Sequence, residues 1–307
     1  MMPRLVLAGL DGGNPLAFLA ALGVLAIAAR QTRETRVLWV CADGRWRPVI
    51  HGVEEDEDRF IQALLAGLEL DESKPFSMQR ELPFGVGDFV AALNTAVERD
   101  DPLRRRLSDL LAGLGTDGVV DEKGRFADTA LRMVRSKDAA GQGLLAYAMN
   151  MRKLIDGPAL RRALFEKWRY EDSGFALRWD PIEDDRYGLR WYDPGTSSNA
   201  KFALRTMQGA NVLALEGLAL LPVQPGRRSA VTTGFGTLAG RREYFTWPIW
   251  DVAIGVDVVR SLLALEDLQT PVPDRGSLAC RGVVDVYRSE RIAPNKYYKN
   301  FSPAVQV

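Results

Sequence analysis

Residues 4–50 run RLVLAGLDGGNPLAFLAALGVLAIAARQTRETRVLWVCADGRWRPVI, and this stretch decides the fold. Arg4 to Leu10 is short and apolar, as an opening strand requires. Asp11-Gly12-Gly13 makes a turn. Asn14 is a good helix N-cap, and Pro15 is pre-set for the first helical position because its φ is fixed and its missing N–H is not needed there. The helix that follows, to about Arg30, is apolar nearly all round and so belongs at the centre of a core. Val37 to Cys41 and Trp46 to Ile50 flank Asp43-Gly44, a two-residue hairpin signal. The chain therefore opens strand–helix–hairpin.

Outward from this block, helical patterns cover Glu54–Leu70, Asp88–Arg99, Pro102–Leu114, Ala139–Lys153 and Pro158–Trp168, with Gly115–Asp128 rich in turn residues. The pattern changes after Tyr170. Phe175–Trp179 and Tyr187–Tyr192 are strand-like and echo each other as Leu177-Arg178-Trp179 and Leu189-Arg190-Trp191, which predicts a local hairpin. Ala200–Leu220 is apolar and helical in character despite Gly209 and Gly217. Ala230–Phe235 and Arg241–Trp247 predict a second strand pair, Val256–Leu268 a helix, and Leu278–Tyr287 a final strand. The fold class is mixed α+β: a strand–helix–hairpin, a central helical region, then mostly antiparallel strands with helices. A division into residues 1–170 and 171–307, or one continuous domain, both fit this change of pattern.

Composition narrows the function. The 40 basic and 40 acidic residues cancel, so any polyanion contact needs a local basic surface. Only eight of the 40 basic residues are lysine; arginine suits bidentate contacts, although a GC-rich genome gives the same bias. Two cysteines, Cys41 and Cys280, and one histidine, His51, exclude a four-cysteine or two-cysteine, two-histidine zinc site within one chain. They also exclude a disulfide-dense scaffold; two buried free thiols are expected. A histidine-dependent hydrolase would have to use His51, and no G-x-S-x-G turn occurs. The apolar run Leu16–Ala29 is shorter than the roughly 20 residues a membrane span needs, and it lacks a basic leader. The expectation is a cytoplasmic protein with no membrane partner, no cofactor and no bound metal.

Three constellations bear on chemistry. Asp11-Gly12-Gly13-Asn14 sits at a strand-to-helix junction, where backbone N–H groups can hold phosphate, but it matches neither the dinucleotide fingerprint nor the P-loop. A capped tight turn is the simpler reading. Asp180, Glu183, Asp184 and Asp185 form an acidic cluster that would suit Mg2+ and phosphodiester cleavage, although an exposed hairpin loop pairing with Arg178, Arg186 and Arg190 is the simpler reading. Basic and aromatic residues interleave at Arg178, Trp179, Arg190 and Trp191, at Lys201, Arg205, Gln208 and Asn211, and at Arg288, Arg291, Lys296, Tyr297, Tyr298, Lys299 and Phe301. Cations can follow phosphates while rings stack on bases. Residues 125–169 carry ten basic residues against four acidic ones, a polarity suited to docking on RNA or on another part of the protein.

The block Gly9 to Leu25, with its Asn14-Pro15-Leu16 start and Leu19-Ala20-Ala21-Leu22-Gly23 core, resembles the opening of large-subunit-type proteins of CRISPR type I systems, particularly subtype I-G, formerly I-U. Phe175–Asp193, Gly209-Ala210-Asn211, Phe245–Trp250 and Val286-Tyr287-Arg288 also look like short CRISPR-associated proteins encoded beside the Cas helicase-nuclease. The resemblance implies a non-catalytic subunit that contacts guide RNA, target DNA or other CRISPR-associated subunits. It transfers no catalytic residue. The expected nucleic-acid surface comprises Arg178, Arg190, Lys201, Arg205, Gln208, Asn211, Arg288, Lys296, Tyr297 and Lys299. The alternative is a metal-dependent phosphodiesterase built on Asp180–Asp185.

Overall fold

The computed structural model describes residues 3–68, 81–99, 103–134, 143–173, 176–183, 205–227, 229–238, 242–293 and 299–307. Its opening is the strand–helix–hairpin that the sequence demands. β1 (Arg4–Val6) leads through the Asp11–Gly13 turn into α1 (Pro15–Gln31), and the Asn14 side chain accepts a hydrogen bond from the Ala17 N–H at 3.1 Å. β2 (Arg36–Ala42) and β3 (Arg45–His51) form the hairpin. Asp43 and Gly44 have φ of 52° and 69°, the paired left-handed geometry whose twist matches the strands on either side. β3 is central, antiparallel to both β1 and β2.

The register sorts this sheet into two faces, because side chains alternate along each strand. Leu5, Ile50, Val37 and Trp39 point toward the core and are buried. Arg4, His51 and Arg36 lie in one row on the other face. Val6, Val49 and Leu38 form the next row, followed by Arg47 with Val40 and Arg45 with Ala42.

The central region is helical: α2 (Glu57–Leu68), α3 (Val86–Glu98), α4 (Leu103–Leu114), α5 (Leu144–Leu154) and α6 (Gly157–Phe165). Residues 115–128, expected as turns, instead form a hairpin of β4 (Gly115–Val120) and β5 (Phe126–Asp128). Its turn is closed by Asp121, whose Oδ1 accepts from the Lys123 and Arg125 N–H groups. Asp, Gly and Lys mark the turn, but only the buried Phe126 shows that its flanks must pair.

β6 (Asp172–Ser173) pairs with β7 (Arg205–Thr206). Residues 176–179 are not a strand: Trp179 is drawn into the core, its Nε1 donating to the Leu131 carbonyl, and Arg178 turns at φ 61°. Tyr187–Tyr192, the other half of the expected hairpin, lies outside the described residues. The apolar run around residue 210 is α7 (Gln208–Gly217), starting after β7 and continued by a 3-10 turn at Leu218–Leu220. β8 (Val223–Pro225) pairs with β9 (Ala230–Thr232), while β10 (Phe235–Leu238), β11 (Arg242–Trp250) and β12 (Val283–Ile292) form an antiparallel sheet. Between the last two come α8 (Val256–Leu263) and α9 (Arg275–Ala279). Leu278, expected in the final strand, is therefore helical. β13 (Asn300–Phe301) and β14 (Val305–Gln306) complete the sheet against β12.

α1 is the axis around which these pieces assemble. Every residue from Pro15 to Ala28 is buried. α7 crosses it backbone to backbone: a Cβ on Gly23 would lie 1.7 Å from the Leu213 carbonyl oxygen, and one on Gly217 would lie 2.5 Å from that of Leu19. The C-terminal sheet closes the opposite side. Phe18 packs against Trp39, Phe245, Trp247 and Trp250, with the Phe18 and Trp39 rings stacked at 5.7 Å. The indoles of Trp247 and Trp250 donate to the carbonyls of Gly12 and Val37 at 2.8 and 2.9 Å. One hydrophobic core thus runs from Leu5 to Phe301 and crosses residue 170. The two cysteines, expected to be buried, are free and exposed: Cys41 lies near the hairpin tip and Cys280 at the end of α9.

Candidate nucleic-acid interface

Of the residues expected to contact nucleic acid, Arg178, Arg205, Gln208, Asn211, Arg288 and Lys299 are described. Arg190, Lys201, Lys296 and Tyr297 lie outside the described residues. Arg205 and Gln208 come together beside β6: Arg205 Nη1 donates to the Glu171 carbonyl at 3.0 Å and Gln208 Nε2 to the Ser173 carbonyl at 2.9 Å. Arg178 reaches the C-terminal segment, donating to Asn300 Oδ1 at 3.2 Å, next to Lys299. These four side chains are half-buried.

Asn211 and Arg288 are buried and occupied inside the fold. The Asn211 amide accepts from the Leu177 N–H and donates to Thr206 Oγ1 and the Met207 carbonyl. Arg288 donates to Thr246 Oγ1 and to the carbonyls of Leu268, Thr270 and Pro271, tying the loop after α8 onto β12. A guanidinium has five N–H donors in a rigid fork, and here that fork satisfies carbonyls that would otherwise be stranded.

The described half of the acidic cluster is also internal. Asp180 accepts from the Tyr170 hydroxyl at 2.9 Å and from the Ile182 N–H at 3.0 Å. Glu183 is fully buried, and its Oε1 accepts from Thr206 Oγ1 at 2.5 Å. Burial, reinforced by the neighbouring Asp180 carboxylate, pushes the Glu183 carboxyl up to about 7. Asp184 and Asp185 lie outside the described residues. Among the described residues no group of three or more His, Cys, Asp and Glu side chains is placed to hold a metal ion.

At the Asp11–Asn14 turn the backbone donors are already engaged. Gly12 N–H donates to the Trp46 carbonyl, Gly13 N–H to Asp11 Oδ1 and Asn14 N–H to the Asp11 carbonyl. The Asp11 carboxylate itself therefore sits where an anion would bind, as a self-capped turn requires. Nearby Tyr287 is pushed up to about 12, by burial first and then by the Asp285 and Asp11 carboxylates. This end of α1 is acidic.

Two groups were not singled out from the sequence. The first is a buried ion cluster on α7: Glu216 is fully buried and contacts Arg30 at 3.1 Å, Arg106 at 3.0 Å and Arg152. Burial alone would raise the Glu216 carboxyl, but the Arg152, Arg106 and Arg30 guanidiniums overcome it and hold the group at about 2. The only signal in the sequence was a lone glutamate within an apolar helix. The second group is the outer-face row of arginines on the β1–β3–β2 sheet, whose signal was alternation: Arg45 and Arg47 are two residues apart on one strand.

No protein-family model matches the sequence, and a search of curated proteins finds no match. No helix of the described residues is long and apolar enough to cross a membrane.

Proposed function

We propose that the chain is a non-catalytic, cytoplasmic subunit of a type I CRISPR guide-RNA effector complex, contacting guide RNA or target DNA or bridging to the Cas helicase-nuclease. One observation supports this reading above the rest. Three of the segments that carry the resemblance, besides the opening block itself, are far apart in sequence but meet around α1; the fourth, Phe175–Asp193, lies mostly outside the described residues. Gly209–Asn211 lies on α7, which crosses α1. Phe245–Trp250 packs its rings on Phe18 and hydrogen-bonds to Gly12. Val286 to Arg288 pair with Pro248 to Thr246 across the sheet. Side chains packed in one core constrain one another's size and shape, so a likeness that runs through several of these meeting segments supports a shared fold rather than a shared helix start alone.

Co-expression with the neighbouring genes and a guide RNA tests the proposal. The expected result is a co-purifying ribonucleoprotein particle; a chain that associates with none of those proteins and no RNA refutes it. The phosphodiesterase alternative has less support, because Asp180 and Glu183 are turned into the fold. Mg2+-dependent cleavage of nucleic acid that disappears in an Asp184→Ala, Asp185→Ala variant would reverse that preference.

A further inference from the structure

We infer that the outer face of the β1–β3–β2 sheet binds the phosphodiester backbone of nucleic acid; this rests on reading the chain as a nucleic-acid-contacting subunit and gives that contact its place. All four arginines of the three strands, Arg4, Arg36, Arg45 and Arg47, fall on this face, and none of the strands carries an Asp or Glu. In a protein of zero net charge this concentrates positive charge locally, which is what polyanion binding needs.

No described carboxylate lies within salt-bridge distance of Arg4, Arg36 or Arg47. Arg47 Nη1 donates to the Leu10 carbonyl at 2.8 Å, and Arg36 Nη1 to the Arg33 and Thr35 carbonyls. These contacts orient the guanidiniums without neutralising them. Arg45 is 3.7 Å from Asp11 and its side chain is 54% exposed. The acidic residues nearest the strands lie beyond their ends: Asp11 beside Arg45, Asp43 in the hairpin turn, Glu34 just before β2, and Glu54 and Glu55 just after β3, of which Glu55 accepts from the Arg4 backbone N–H.

The middle of the face is aliphatic: Val49 on the central strand is buried at 4% exposure and Leu38 is half-buried, while Val6 and Val40 on the flanking strands are 44% and 36% exposed. No Phe, Tyr or Trp lies in these rows, and the one ring, His51, sits at the edge of the face between Arg4 and Arg36, so there is no extended platform for base stacking. Recognition must come from phosphate contacts, which carry no sequence information and depend steeply on salt. Same-face residues two apart on a strand stand roughly 7 Å apart and neighbouring strands about 5 Å apart. A fixed lattice of forked donors suits a regularly repeating phosphate chain.

The test is binding of a labelled oligouridylate and the matching oligothymidylate across a salt series. Three proteins are compared: wild type, an Arg4→Gln, Arg36→Gln, Arg45→Gln, Arg47→Gln variant, and a charge-matched control with Arg125, Arg227, Arg242 and Arg281 changed to Gln. The face variant should bind at least tenfold more weakly at low salt. Its log–log salt slope should flatten by about 0.7 for each phosphate no longer neutralised, roughly 2–3 in all. The control should stay within twofold of wild type, and RNA and DNA should bind alike. Because Arg36 and Arg47 also hold carbonyls, Arg45→Glu serves as a second variant that leaves those bonds intact; it should weaken binding severalfold with an unchanged melting midpoint.

Equal affinity and slope in wild type and both face variants overturns the inference. So does an equal loss in the control, or displacement of the oligonucleotide by polyglutamate at matched charge, which would point to an acidic protein partner. Particle assembly is scored separately. Assembly by a chain whose face variants bind RNA normally overturns the face and leaves the subunit reading. Binding through the face by a chain that joins no particle does the reverse.

Discussion

Replacing Gly23 with alanine should destabilise the whole protein, although alanine is the better helix former. A Cβ at Gly23 would sit 1.7 Å from the Leu213 carbonyl oxygen, 2.6 Å from its carbon and 3.2 Å from the Gly217 nitrogen. Ordinary contact begins near 3.4 Å, so the difference from 1.7 Å requires α1 and α7 to part by about 1.7 Å. The obstacle is backbone, which cannot swing aside as a side chain can. A gap of 0.5–1 Å already forfeits about a quarter to a half of a van der Waals well, and α1 is buried on every side. Overpacking of this kind costs about 3 kcal/mol at the upper end of its usual range, against a propensity gain of about 1 kcal/mol, leaving a net loss of about 2 kcal/mol or more. For a chain of 307 residues, with an unfolding entropy of about 2.1 cal/mol/K per residue, that lowers the melting midpoint by about 3 °C. Urea unfolding followed by tryptophan fluorescence reports directly, since Trp39, Trp247 and Trp250 surround Phe18 of α1. Gly87→Ala is the control: Gly87 lies in α3 with nothing within 4 Å of its absent Cβ, so this change should be neutral or stabilising by up to about 1 kcal/mol. A Gly23→Ala protein as stable as wild type would refute the close crossing of α1 and α7 and the core built on it.

Glu216→Gln should cost about 3–5 kcal/mol in a urea titration at neutral pH, because it leaves the Arg30, Arg106 and Arg152 guanidiniums without their shared carboxylate. In wild type the same carboxyl is held below its ordinary value, so the stability it contributes is present above about 4.5 and is lost as pH falls toward about 2; an acid-unfolding curve unchanged by the substitution would contradict this. Glu183 has the opposite sign. Its carboxyl is raised to about 7, so its contribution is full below about 4.5 and disappears as pH rises through 7, an interval equivalent to about 3 kcal/mol. Glu183→Gln should therefore stabilise the protein at pH 8 relative to wild type and have little effect at pH 4, measured as paired urea midpoints. Arg288→Ala should lower stability by about 3 kcal/mol, since it strands the Leu268, Thr270 and Pro271 carbonyls, while leaving the salt slope of oligonucleotide binding unchanged; a flattened slope would show that Arg288 touches phosphate.

The sequence by itself determined what local chemistry controls. Asn14-Pro15 start α1, Asp43-Gly44 turn the hairpin, and the unbroken apolar run of residues 16–28 can only be a core helix, so the strand–helix–hairpin and the mixed α+β class were legible without coordinates. Tertiary structure decided whatever depends on a distant partner. Leu177 and Trp179 have the composition of a strand, but Asn211 Oδ1 accepts from the Leu177 N–H that a strand would offer to a neighbour, and the Trp179 indole is drawn inward to donate to the Leu131 carbonyl. Arg288 reads as a surface cation beside aromatics until the loop carbonyls that surround it are seen. Gly23 and Gly217 look like weak points in two helices, and only the crossing of α1 and α7 shows that they are its contact surface. The basic sheet face depends on register. Arg4, Arg36, Arg45 and Arg47 are scattered over more than forty positions, and antiparallel pairing with a period of two places all four on the side away from the core.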